Sequence, residues 1–232
     1  MNRQTMAMDF DHLPKALRNS GFFAGKRINP DYESVKHMLT IRPYPADANG
    51  VEGSVHRTVG DIALVVYAVL MEDGRVASGL KVPTFMVPVW EVSSETLMAD
   101  AFRNAMEKGR PMIVDMVDML LDPDGMGGQP LNEVKELSMM FTPCLTTERK
   151  LNGATAAFMP GVAKRIGDVF GKDYFLVFTS VHEAMLHPID EADPEILQKV
   201  LNDTIEAATP QEDVLTHSIY RYHRDADEIR MV

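Results

Sequence analysis

Residues 174–188 read YFLVFTSVHEAMLHP. The first part, YFLVFT at 174–179, is an apolar and β-branched run of strand length, as found where both faces of a sheet are covered. The segment 184–188 returns beside it as a tight hairpin. On paired extended backbone, side chains alternate between faces. His182 and His187 are five residues apart, so this reading sends their imidazoles to opposite sides of the sheet.

The flanking punctuation agrees with a hairpin. A helix over 160–170 is closed by Gly171. Asp193-Pro194-Glu195 starts another, with a cap, a proline in the first turn and an acid at the positive dipole end. Its expected apolar face is Ile196, Val200 and Leu201. Segments 214–223 and 228–232 read as a final hairpin around 224–227.

Upstream, IALVVYAVLM at 62–71 is a second doubly covered strand. Asp73-Gly74 supplies a type I′ turn signal, because such turns need positive φ at both central positions. The return strand is 76–82. A strand over 35–42 is expected to stop at Pro43-Tyr44-Pro45, with a polar loop to Gly60. Ser93 or Ser94 caps a helix to about 108 that buries Leu97, Ala101 and Ala105. Pro111 suits the first turn of another helix, along which Ile113, Met116, Val117 and Leu120 follow helical spacing. DPDGMGGQP at 122–130 reads as a loop, 138–142 as a short strand and 11–19 as a short helix. Hairpins dominate over βαβ units. The expected class is α+β, a mainly antiparallel sheet built from hairpins with helices packed against it, organised as one domain over 33–232 and an N-terminal arm or short helix over 1–32.

The chain has 232 residues and a net charge of −11, with a calculated pI near 5.1. That balance argues against a general binder of phosphate backbones, which needs basic faces to release counterions. It suits a small-molecule site or a basic protein partner. The acids are spread along the chain, which argues against mimicry of nucleic acid. A single cysteine, Cys144, excludes an internal disulfide and fits a reducing compartment. No apolar signal segment opens the sequence, and no run reaches the roughly 20 residues that span a bilayer. A cytoplasmic location and no membrane association are therefore expected.

Three runs, GDIALVVYAVL, LNGATAAFMPGVAKRIGDVFGKDYFLVFTSVHEAMLHP and VLTHSIYRYHRDADEIRMV, resemble an uncharacterised family called domain of unknown function 5688. The resemblance covers about residues 33–232 and centres on Ser180-Val181-His182-Glu183 and on Ser218-Ile219-Tyr220-Arg221-Tyr222. Thr179 stands where the family carries a serine. The resemblance implies a bacterial, phage or mobile-element setting and a truncated or replaced segment over 1–32. It implies no catalytic residue.

Four constellations invite chemistry. His182-Glu183-x-x-x-His187 falls one residue off the H-E-x-x-H zinc pattern. At that spacing the imidazoles diverge by about 140° on a helix, so polar residues shaping a turn account for it better. Ser180, His182 and Glu183 are candidates for nucleophile or acid–base work if their side chains converge. Asp122, Asp124 and Glu133 occupy positions 1, 3 and 12 of a calcium-loop near-miss whose position 5 is Met126, so a glycine-rich surface loop is preferred. Tyr220, Arg221 and Tyr222 interleave aromatics with a base as nucleic-acid surfaces do, yet an amphipathic strand explains the alternation and nucleic acid is not the expected ligand. The loop-like Gly167–Lys172 run lacks the spacing of a phosphate loop, Cys144 reads as structural, and most of the 17 methionines read as core filling. No cofactor is called for. The expected function is a non-enzymatic binding or regulatory module with a protein partner; the alternative is a hydrolase-type enzyme centred on Ser180, His182 and Glu183.

Overall fold

The computed structural model describes residues 31–73, 76–121, 127–137 and 142–232. The helix expected over 11–19 lies outside them, as do the central turn residues of the Asp73-Gly74 hairpin and most of the strand expected over 138–142.

Two antiparallel sheets organise the chain. In the first, the long strand β3 (Ile62–Asp73) has β1 (Leu39–Pro45) on one side. On its other side lie β2 (His56–Val59) and β4 (Val76–Lys81). The doubly covered reading of β3 holds. Ile62, Leu64, Val66 and Ala68 join the main core, while Ala63 and Val65 face a smaller cluster with Val51.

Strand β1 differs from expectation at both ends. Asp31 accepts a hydrogen bond from the Ser34 N–H and caps a short helix, α1 (Tyr32–Val35), so extended backbone begins later. Pro43 and Pro45 then lie within the strand, paired with Leu64 and Ile62. An edge strand tolerates them because one row of its N–H groups has no ladder partner to lose.

The second sheet has seven strands. It comprises β5 (Pro111–Asp115), β6 (Gln129–Pro130), β7 (Pro143–Thr147), β8 (Tyr174–Ser180), β9 (Glu183–Pro188), β10 (Tyr220–His223) and β11 (Glu228–Met231), in the order β11-β10-β8-β9-β7-β5-β6. The 174–188 hairpin forms as expected, from Tyr174 opposite Pro188 to Ser180 opposite Glu183. Strand β5 is a correction: the helix expected from Pro111 is extended, and only the short α4 (Met116–Leu121) follows it. Ile113 and Val114 are both buried, one on each face, beside β7. Neighbour pairing outweighs the local helical spacing.

Each face of this sheet has its own cover. Tyr174, Leu176 and Phe178 point toward the small sheet, joined by α3 (Ser94–Lys108), a 3₁₀ turn (Gly153–Phe158) and α5 (Val162–Phe170). A short α2 (Met86–Trp90) precedes α3 and adds Trp90 to the same core. Phe175, Val177 and Met185 point the other way, onto α6 (Pro194–Ala208). The buried face of α6 is Leu197, Leu201 and Ile205. Leu201 is buried as expected, whereas Ile196 is 63 % and Val200 44 % exposed, which corrects two of the three positions of the expected apolar face.

Candidate functional site

The turn between β8 and β9 brings Ser180, His182 and Glu183 together, and their hydrogen bonds define what each can do. The Ser180 hydroxyl donates to Glu183 Oε1 over 2.7 Å and accepts the His182 backbone N–H over 2.9 Å. Thr179 also donates its hydroxyl to Glu183 Oε1, at 2.7 Å. The His182 ring turns elsewhere. Its Nδ1 accepts the Asn152 N–H at 3.1 Å, and its Nε2 lies 3.4 Å from Asp213 Oδ1.

An Nδ1 that accepts an N–H carries no proton, so the neutral ring is protonated on Nε2, facing Asp213. The imidazole lone pair is thereby committed to a backbone amide. A nucleophile relay needs that lone pair on the serine proton, and here the serine proton is held by Glu183. All three side chains hydrogen-bond within the protein around the turn. The His182 carbonyl accepts from Thr146 Oγ1, and the Val181 N–H donates to the Asp213 carbonyl. Gly153 sits so close that a Cβ would lie 2.1 Å from the His182 carbonyl oxygen. The turn is a junction between β7, the 3₁₀ turn 153–158 and the segment 209–213 that follows α6.

His187 sits on β9 opposite Phe175. His182 lies in the turn and not on paired extended backbone as expected, and His187, five residues on, is at most about 17 Å along the chain from it at a strand rise of about 3.3 Å per residue. Among the described residues, no three His, Cys, Asp or Glu side chains gather as a metal site would require. Burial pushes the Cys144 thiol up to about 12, which keeps it protonated at neutral pH and a poor nucleophile.

Tyr220, Arg221 and Tyr222 alternate as the strand reading expects. The two tyrosines are buried and Arg221 faces outward beside Asp173, 2.6 Å from its carboxylate. Tyr222 packs on Gly167 and donates its hydroxyl to Asp227, so the rings are core rather than a stacking platform. The Tyr220 hydroxyl donates to the Asp61 carboxylate, which also receives the Thr216 and Ser218 hydroxyls. Asp61 lies in the β2–β3 turn, so this cluster fastens the two sheets. Asp122 and Asp124 fall outside the described residues. Glu133 is exposed in a turn with no helix after it through 137, unlike the exit helix of a calcium loop.

A feature that no motif announced lies between the two sheets. A cavity of about 70 Å³ is lined by Arg42 of β1, Lys108 at the end of α3, Thr147 of β7, and Arg149, Asn152 and Thr155 of the segment that follows. Among the described residues, no carboxylate lines it. Thr155 is 3 % exposed, and its hydroxyl has no hydrogen-bond partner within the protein. An unsatisfied buried hydroxyl costs roughly 1–3 kcal/mol. A second concavity, between β2, α5 and β11, mixes Arg57, Lys164 and Arg230 with Asp227 and Glu228. Its charges offset one another. The first cavity was invisible in the sequence because its residues come from four separated segments.

The segment lining the first cavity is held at both ends. Arg110 pairs with Glu148 at 2.8 Å, and His182 holds Asn152. Lys150 and Asn152 have φ of 53° and 51°, the left-handed region that side chains seldom adopt.

Taken together, the chain is a two-sheet α+β protein whose conspicuous polar residues hydrogen-bond to one another and to neighbouring segments. It belongs to the family of unknown function DUF5688, whose model matches residues 24–224. The match starts earlier than the resemblance over 33–232 and stops short of the last strand. No curated protein and no solved structure matches the chain.

Proposed function

We propose that this protein is a non-enzymatic, cytoplasmic binding or regulatory module of a bacterium, phage or mobile element, and that it engages a basic protein partner through α6. Residues 33–232 act as one domain in this reading, with 1–32 as an arm. One observation carries it: Ile196 and Val200, one helical turn apart, stand 63 % and 44 % exposed on α6 within an acidic surround. Between 189 and 213 the chain holds eight acids and a single lysine. An apolar anchor ringed by one sign of charge suits a partner of opposite charge, which electrostatic steering brings in and the anchor retains. The bonding of Ser180, His182 and Glu183 supports the same reading, since each is used internally. Among the described residues no helix is long and apolar enough to cross a membrane.

The test compares the wild-type chain with the Ile196→Glu/Val200→Glu double variant as bait in a lysate of the source cell. The expected result is a stoichiometric basic protein retained by the wild type at low salt, released as salt rises, and lost from the variant. Equal capture by both baits overturns the reading. So does failure to capture anything together with turnover in a hydrolase substrate screen.

A further inference from the structure

We propose that the cavity between β1, the end of α3 and the segment 147–155 binds a small oxyanion of the phosphate type. Three observations converge there.

The first is charge. The chain as a whole carries 34 acids against 23 bases, yet Arg42, Lys108 and Arg149 meet at this cavity and no carboxylate lines it among the described residues. Arg42 lies with its guanidinium 3.8 Å from the centre of the Tyr67 ring, and Lys108 donates to the His37 carbonyl at 2.8 Å. A concave site lined by one sign of charge concentrates the opposite ion.

The second is the orphan hydroxyl. Thr155 lines the cavity, is almost wholly buried, and lacks a partner within the protein. A buried donor of this kind is matched to an acceptor that comes from outside. Thr40, Thr147 and the Asn152 side chain add further hydrogen-bonding capacity in the same lining. Guanidinium forks and hydroxyls together are the groups that recognise tetrahedral oxyanions.

The third is size and rigidity. A single water needs roughly 10–15 Å³ on this measure, so about 70 Å³ accommodates a phosphate-sized group. The 148–152 segment is anchored by the Arg110–Glu148 pair and by His182 on Asn152, so the lining is preorganised and little ordering accompanies binding.

The site is remote in sequence from α6, and its test is independent of any protein partner. Inorganic phosphate is titrated into the purified full chain by calorimetry and by thermal melting, against sodium chloride at matched ionic strength. Phosphate is expected to bind with a resolvable affinity and to raise the melting temperature beyond the chloride control. In the Lys108→Gln/Arg149→Gln variant the affinity falls at least tenfold. In Thr155→Val it falls about fivefold, while stability without phosphate is unchanged or higher, because an unpaired buried hydroxyl has become a methyl. The Ile196→Glu/Val200→Glu variant binds phosphate as the wild type does, which separates this site from the α6 reading. A phosphate response no larger than that of chloride overturns the proposal, as does a response that survives both the charge variant and Thr155→Val.

Discussion

His182 and His187 are both histidines of one hairpin, and their environments differ completely. His182 occupies the turn, where each ring nitrogen has a neighbour, Asn152 N–H on one side and Asp213 on the other. His187 is half-buried on β9, and burial lowers its pKa because the charged imidazolium loses hydration. Its unfolded reference is about 6.5. Below that value the unfolded chain binds a proton on this ring that the folded chain resists. The unfolded state thus holds more protons, and stability rises with pH through this window. The contribution is complete above about 6.5 and is lost as pH falls toward the depressed folded value. Unfolding midpoints in urea at pH 7, 6 and 5 are expected to fall for the wild type and to fall less for His187→Gln. Parallel declines in the two proteins would remove His187 as the cause.

At the scale of the element, α6 shows how a correctly read helix start leaves the face open: of the expected Ile196, Val200 and Leu201, only Leu201 is buried. Asp193 caps it through the Glu195 N–H at 2.8 Å, and Pro194 opens it. Those local signals specify where it begins. Two apolar rows run along it, Ile196–Val200 and Leu197–Leu201–Ile205, offset by one residue. The longer row spans more of the helix, and it is this row that meets Phe175, Val177 and Met185 on the sheet. Leu201, fully buried, is expected to cost about 2–5 kcal/mol when truncated to alanine. Ile196→Ala is expected to stay within about 0.5 kcal/mol of wild type. Chemical denaturation midpoints of the two variants decide the matter, and a comparable loss in both would put Ile196 against the core.

At the scale of the whole molecule, the two sheets are joined by packing and by a polar fastening at Asp61. Thr216 and Ser218 lie in a bend just ahead of β10, which starts at Tyr220 and not at 214 as expected. The Ser218 N–H donates to Thr216 Oγ1, and this turn brings their hydroxyls with that of Tyr220 onto Asp61. Phe178 meets Tyr220 edge-on at 5.5 Å between ring centres, and Phe158 stacks on Phe178 at 5.7 Å, which carries the contact into the core. Gly60 has φ of 58°, and a Cβ there would stand 2.6 Å from the Tyr220 hydroxyl. Tyr220→Phe removes one donor from a carboxylate and is expected to cost about 2 kcal/mol. Trp90, the single tryptophan, reports from α2 by fluorescence, while circular dichroism reports from the chain as a whole. Coincident urea transitions by both probes, moved together by Tyr220→Phe, are the expected outcome for sheets that unfold as a unit. Separated transitions would show that the fastening does not couple them.

The amino-acid sequence by itself determined the class, the β8–β9, β3–β4 and β10–β11 hairpins and the starts of α3 and α6. These rest on interactions between residues close along the chain: alternation, turn chemistry and caps. It also disclosed which polar residues were unusual, because Ser180-Val181-His182-Glu183 and Tyr220-Arg221-Tyr222 stand out in any reading. Their employment was decided only by tertiary structure. Ser180 binds Glu183 instead of the His182 ring because Asn152, thirty positions earlier in the chain, claims that ring. Strands β5 and β7 likewise depend on each other across the loop between them, and neither carries enough local signal to declare itself. The cavity with Arg42, Lys108, Arg149 and Thr155 is the extreme case, for a site assembled from distant segments has no spacing to read and exists only once the two sheets have closed on each other.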